Sequence, residues 1–360
     1  MKLFAFYLPQ FYETNYNNEW WGKGFTEWTH VSKAQKLYKQ HHQPKVPLNN
    51  NYYNLLNEET IRWQSDLMDK YKVDGLVYYH YFLEGKLLLE KPAENLLKNK
   101  ELQCPFFFCW ANHSWYKATK GQKKLLIEQK YGNEEMWEKH FSYLLPFFRD
   151  ERYEKKNNKP LFMIFNADFP EREEMFNYFN RRCIESGFDG LAVIYTASNR
   201  GEYRLLKNDI NGTDYIHLRQ PSYSLYSYKH TLSGSLKVLT KRIANFFGRE
   251  KVRYVEKYKG NALFRQMMKE PNGGRILHGL FCEWDNTPRH SYRGYIISPP
   301  NKKTFMKYLT NVGDDEYIFF NAWNEWAEGM VLEPTTENNF KYLEWIKEWK
   351  TLNDKNGKNN

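Results

Sequence analysis

With 360 residues, the chain is long enough for one α/β barrel of about 250 residues plus insertions, or for two ordinary domains. Hydrophobic residues make up 41%, enough for a sizeable core, and no stretch reaches the roughly 18 uninterrupted apolar residues of a spanning helix. The formal charge of +10 invites a nucleic-acid reading, but the excess is spread along the chain and no RNA- or DNA-binding signature accompanies it.

Met1-Lys2-Leu3-Phe4-Ala5-Phe6-Tyr7-Leu8-Pro9 reads as a first strand and not as a secretory leader, because the apolar run is short and lacks a small-residue cleavage site. A cytoplasmic location follows as an expectation. Short apolar runs bounded by turn residues then place strands at 3–8, 75–81, 105–110, 161–166, 190–196, 214–218, 276–282 and 317–321. Helix-period segments lie between them, at 58–71, 93–98, 134–148, 171–186, 236–247, 262–269 and 302–310. Eight strands alternating with helices predict a single parallel (β/α)8 barrel over residues 1–350, with a long loop at 9–57, an insertion at roughly 200–274 and a polar, frayed tail at 351–360. Cys104, Cys109, Cys183 and Cys282 show no CxxC spacing and sit in apolar runs, so reduced thiols are expected, not zinc ligands or disulfides.

One local charge concentration stands out. Residues 241–259 carry seven Lys/Arg against two Glu, interleaved with Ile243, Phe247, Val252 and Val255. Such a segment either rests on an anionic bilayer, at the inner face of the membrane, or forms a solvated helix face.

Aromatic residues reach 18%, with 12 Trp, 28 Tyr and 25 Phe, and many lie beside Glu, Asn, His or Gly. Rings flanked by hydrogen-bonding groups suit a pyranose, whose CH face stacks while its hydroxyls need donors and acceptors. Single-stranded nucleic acid would call for Lys/Arg between the rings. In a βα barrel the chemistry collects just after each strand. Candidate sugar-binding residues there are Gln10 and Tyr12 after the first strand, with Trp21, Glu27 and Trp28 in the long loop. Tyr79, His80 and Tyr81 follow on the second strand, and Trp110, Asn112, His113 and Trp115 on the third. Trp284, Asp285, Asn286 and Arg289 follow the seventh, and Trp323, Asn324, Trp326 and Glu333 the eighth. Each has a plainer reading: the tryptophans cover the barrel mouth, His80 is a satisfied strand-end histidine, Asp285-Asn286 caps a turn, and Glu27 and Glu333 join structural ion pairs.

Glu325 and Glu328 lie three apart, directly after the eighth strand, among aromatic and Asn neighbours. That spacing puts both on one face of a turn, about 5–6 Å apart. Glycosidic cleavage needs two carboxyls with different jobs, one protonated toward the leaving oxygen and one ionised. Desolvation by the tryptophans and mutual repulsion would separate their pKa values.

The phrase Phe320-Asn321-Ala322-Trp323-Asn324-Glu325-Trp326-Ala327-Glu328-Gly329, followed by Leu332-Glu333-Pro334, resembles the signature of glycoside hydrolase family 99. The likeness is closest to the family-99-like branch called WbsX, found with bacterial O-antigen and capsule synthesis genes. Tyr7-Leu8-Pro9-Gln10-Phe11, Glu19-Trp20-Trp21-Gly22, Tyr78-Tyr79-His80-Tyr81, Cys109-Trp110-Ala111-Asn112 and Trp284-Asp285-Asn286-Thr287-Pro288-Arg289 match as well, so the resemblance runs from residue 1 to about 345. It implies a (β/α)8 barrel that cleaves α-mannosidic links with retention, without metal or organic cofactor. Glu325 would deprotonate the substrate's own 2-hydroxyl to give an anhydro-sugar, and Glu328 would act as acid and then as base. Where the branch usually reads Trp-Ala-Asn-Glu-Asn-Trp, this chain has Trp110-Ala111-Asn112-His113-Ser114-Trp115, so His113 replaces a carboxylate expected near the sugar. The implied substrate is an oligosaccharide or polysaccharide, free or lipid-linked, and no nucleic acid. A glycosyltransferase of lipopolysaccharide O-antigen synthesis and a non-catalytic glycan-binding barrel are the alternatives, although the chain carries no Asp-x-Asp, P-loop or GxGxxG.

Overall fold

The computed structural model describes residues 1–119, 122–208, 214–231, 255–313 and 315–356. Eight strands form its centre: β1 (Lys2–Tyr7), β2 (Gly75–Leu83), β3 (Phe106–Trp110), β4 (Lys159–Ile164), β5 (Ala192–Ala197), β6 (Tyr215–Leu218), β7 (Ile276–Leu280) and β8 (Tyr317–Phe320). They pair in parallel in sequence order, and β1 closes the ring by pairing with both β2 and β8. The strands are buried on both faces, as parallel strands under a helical layer must be, which is why they read as continuous apolar runs.

Contacts between non-neighbouring strands identify the barrel filling. Phe4 of β1 meets Phe107 of β3 edge-on at 5.3 Å, and Phe107 meets Phe319 of β8 at 5.9 Å. One layer higher, Phe6 stacks on Tyr79 at 5.4 Å and approaches His217 of β6 at 5.6 Å. Gly75 stands opposite Phe4 because a Cβ there would lie 2.4 Å from the Phe4 ring.

The outer layer includes α1 (Glu58–Tyr71), α2 (Lys91–Lys98), α3 (Glu134–Phe148), α4 (Arg172–Glu185), α5 (Arg200–Asn208), α6 (Ser222–Lys229), α7 (Gly260–Met267), α8 (Lys302–Asn311) and α9 (Lys341–Asn356). Their causes are local. Asn133 caps α3 by accepting from the Met136 N–H, and Trp137, Phe141, Leu144 and Phe148 form one buried stripe along it.

Two expectations change. The expected insertion at 200–274 begins later, since its first part is α5 and β6, and the extra chain lies between β6 and β7. Residues 351–356 continue α9 and are not a frayed tail. The expected helix at 236–247, and the basic segment 241–259 up to residue 254, lie outside the described residues. Beside the barrel mouth, Glu256–Lys259 pairs in parallel with Tyr295–Ser298, which pairs antiparallel with Trp284–Asp285. A hairpin of Trp115–Thr119 and Gln122–Ile127 follows β3.

Candidate active site

Beyond β8 the chain is stitched to the end of β1 before it reaches the two glutamates. Trp323 donates its backbone N–H to the Phe6 carbonyl at 2.8 Å, and the Asn324 amide accepts from Leu8 N at 2.7 Å and donates to Leu8 O at 3.0 Å. Asn324–Glu325 then pairs with Met330–Val331 across the turn Trp326–Glu328. Gly329 closes that turn at φ +62°, and a Cβ there would press on the backbone of Asp285 at 3.0 Å. The two carboxyls therefore project from a fixed turn at the C-terminal mouth.

Arg289, on the short helix Thr287–His290, gathers the carboxylates. Its Nη1 donates to Glu328 at 2.8 Å, and its Nε and Nη2 donate to Glu27. Glu27 is almost fully buried and comes from the long loop after β1. Nη2 also lies 3.5 Å from Glu325 Oε2, which is buried and accepts no hydrogen bond. Burial, then the charge of Glu328, push the Glu325 pKa up to about 8 against the opposing pull of Arg289. At neutral pH Glu325 holds a proton, while Glu328 is bound to a guanidinium.

Two phenols share this field. Burial first, and the Glu325 carboxyl next, raise the pKa of both Tyr79 and Tyr81, so their hydroxyls stay protonated donors beside it. Around the mouth, Tyr81 meets Trp115 edge-on at 5.1 Å and Trp115 meets Trp20 at 5.8 Å, with Tyr12 buried in the same cluster. Trp21 stacks on Phe25, and the Lys117 ammonium lies over its ring. Trp284 stacks flat on Tyr295 at 5.4 Å, and its indole N–H has no partner. Gln10 is half-buried, and its carbonyl accepts from Glu27 N. His113 is exposed beside Phe165.

Other expected sugar-binding residues belong to the framework instead. Glu333 is buried and accepts four hydrogen bonds, from Gln64 and Trp323 on one oxygen and from Tyr53 and Trp326 on the other, at 2.7–2.8 Å. The indoles of Trp323 and Trp326 are thereby turned inward and fully buried. Trp28 donates to the Tyr53 carbonyl and packs on Trp326. Asp285 accepts from His41, Gln43 and Thr287, and Asn286 Oδ1 accepts from the Tyr295 backbone N–H, so the pair holds a turn. Asn112 clamps the Asn166 backbone at 2.7 Å in both directions. His80 and Trp110 point outward from the barrel: His80 meets His140 of α3 at 2.8 Å, and Trp110 packs edge-on against the His140 ring and donates to Phe82 O. Strand alternation explains this, since Tyr79 and Cys109 take the inward positions. Arg219, immediately after β6, was missing from the expected set although its place at a strand end was a readable signal.

The structure is thus a (β/α)8 barrel with paired carboxyls at its aromatic-rimmed mouth. Over residues 3–346 the sequence matches the glycosyltransferase WbsX family, and the chain belongs to it. Two WxcX proteins, described as uncharacterized, from two strains of Xanthomonas campestris pv. campestris are each 29% identical, over 357 and 354 residues, covering 95% of this chain and 48% of theirs. The chain thus spans about half the length of these curated relatives. Among solved structures, the family 99 endo-α-mannosidase of Bacteroides thetaiotaomicron in complex with bis-tris-propane superposes with a TM-score of 0.57 at 13% identity, over 99% of this chain and 98% of that one. A glycoside hydrolase-like protein gives 0.57 at 12% identity, over 97% and 93%. These structures share the fold.

Proposed function

We propose that the chain breaks or transfers glycosidic bonds with retention, by endo-α-mannosidase-like chemistry, on bacterial surface polysaccharide of the O-antigen or capsule class. The observation that carries this reading is the unlike surroundings of two neighbouring carboxyls: Glu328 is ion-paired to Arg289, and Glu325 is buried without a hydrogen bond. Pairs of titratable groups pushed apart by their environments mark acid and base. A base whose pKa is raised toward neutrality is strong while still ionised in a useful fraction.

In the first step Glu325, once ionised, takes the proton of the sugar 2-hydroxyl. O2 attacks the anomeric carbon, and Glu328 protonates the departing oxygen. In the second, Glu328 takes a proton from water or from an acceptor sugar, whose oxygen opens the anhydro ring at the anomeric carbon, and O2 recovers its proton from Glu325. Two inversions give retention, and no enzyme nucleophile is needed. The free protein holds the proton on Glu325, so substrate binding must accompany its relocation toward Glu328. Arg289, in contact with both, stabilises either arrangement.

Transfer to a sugar in place of water is the second reading, and the family's description as a glycosyltransferase favours it. Mass spectrometry of products from α-mannosides and O-antigen oligosaccharides, with and without acceptor sugars, separates the two. Products are expected from the wild type and not from Glu328→Gln, and acceptor-linked products identify transfer. Identical products from both proteins would sink the reading.

A further inference from the structure

Arg219 sits at the barrel mouth with its guanidinium flat over the Phe165 ring, 4.1 Å from the centroid. Of its five N–H donors, one is used: Nη2 donates to Ser198 Oγ at 2.6 Å, and Nε is buried without a partner. Among the described residues no carboxylate pairs with it. By comparison, Arg289 meets three carboxylates, Arg152 pairs with Asp150 and Arg182 with Glu138. A partly desolvated cation with unused donors is poised for an anion.

The His113 ring lies 5.3 Å from the same Phe165 ring. Desolvation, and then the Arg219 charge, lower the His113 pKa. Arg219 follows β6 at the same C-terminal mouth as the two glutamates, which follow β8. The Tyr79 phenol feels both Glu325 and Arg219, and the Tyr295 phenol feels both Glu328 and Arg219.

We infer that Arg219, with His113 against the same Phe165 ring, forms a subsite for an acidic sugar, a hexuronate whose carboxylate pairs with the guanidinium while its ring lies toward Glu325 and Glu328. This rests on reading the mouth as a glycan site and adds the class of sugar taken there. A guanidinium offers a carboxylate two parallel N–H bonds, which a neutral sugar hydroxyl cannot match.

The test is direct binding to the full chain, by calorimetry or ligand-observed NMR. Methyl glycosides of mannuronate, glucuronate and galacturonate are compared with their neutral parents and with mannose 6-phosphate. At least one hexuronate is expected to bind about tenfold or more tightly than its parent, a difference within the range of one charge-assisted pair. In Arg219→Gln that preference should fall to near unity, and Arg219→Lys, which keeps the charge, should retain part of it. Equal binding of hexuronate and parent by the wild type overturns the inference, as does a preference that survives in Arg219→Gln. Tighter binding of the sugar phosphate than of any hexuronate overturns the carboxylate assignment. The readout needs no turnover: a preference retained in Glu328→Gln stands even if the proposed cleavage fails, and glycan cleavage without the preference removes this inference alone.

Discussion

Glu325 and Glu328 share one arginine, but only Glu328 accepts a hydrogen bond from it. Burial therefore dominates at Glu325 and lifts its pKa, which makes it a stronger base and delays its ionisation. Because the pair holds one proton, which must sit on Glu328 while Glu325 acts as base, kcat/KM should hold through neutral pH and fall as pH rises through about 8, where that proton is lost. A profile that keeps climbing above pH 8 would contradict the shared proton. Glu333 has the opposite task, holding four donors in place. Glu333→Gln turns one acceptor oxygen into an N–H group that must face two donors, and thermal or urea unfolding should show a loss of about 3 kcal/mol. The glutamate pair was legible because its two members are neighbours in sequence. Glu27 and Arg289 were among the candidates, but their meeting with the pair in one cluster arises only through folding, and nothing local tells that Trp323 and Trp326 turn inward toward Glu333 while Trp284 stays at the rim.

At the scale of elements, β2 and α3 are joined by His80 and His140, whose Nε2 atoms lie 2.8 Å apart. One must donate and the other accept, so the accepting ring has to be neutral. Burial lowers the His80 pKa to about 3 and holds that of His140 well below its ordinary value. A folded pKa below the unfolded one gives stability that is complete above about pH 6.5 and is lost as pH falls toward 3. Urea midpoints at pH 7 and pH 4.5 should differ by more in the wild type than in His80→Phe; equal differences would deny the pair this role. The eight strands were readable because each is a local apolar run bounded by turn residues. The small sheet of Glu256–Lys259, Tyr295–Ser298 and Trp284–Asp285 was not, since its strands are short and its first pairing spans some 40 residues. α6 was masked by polar, aromatic-rich sequence with weak periodicity, and α5 by lying within the expected insertion.

On the scale of the whole molecule, the barrel supplies a mouth where residues from β1, β2, β6, β7 and β8 converge on one carboxylate pair and one unpaired arginine. Among the described residues no helix is long and apolar enough to cross a membrane. The central claim is that Glu325 and Glu328 perform glycosidic chemistry, and it is tested most directly by measuring turnover and binding of the best glycan in parallel for the wild type, Glu325→Gln and Glu328→Gln. The expected result is a loss of turnover of about a thousandfold in each variant with binding retained within a few-fold. Undiminished turnover in either variant, or a wild type that binds glycan tightly and never converts it, would contradict the claim and leave a binding barrel.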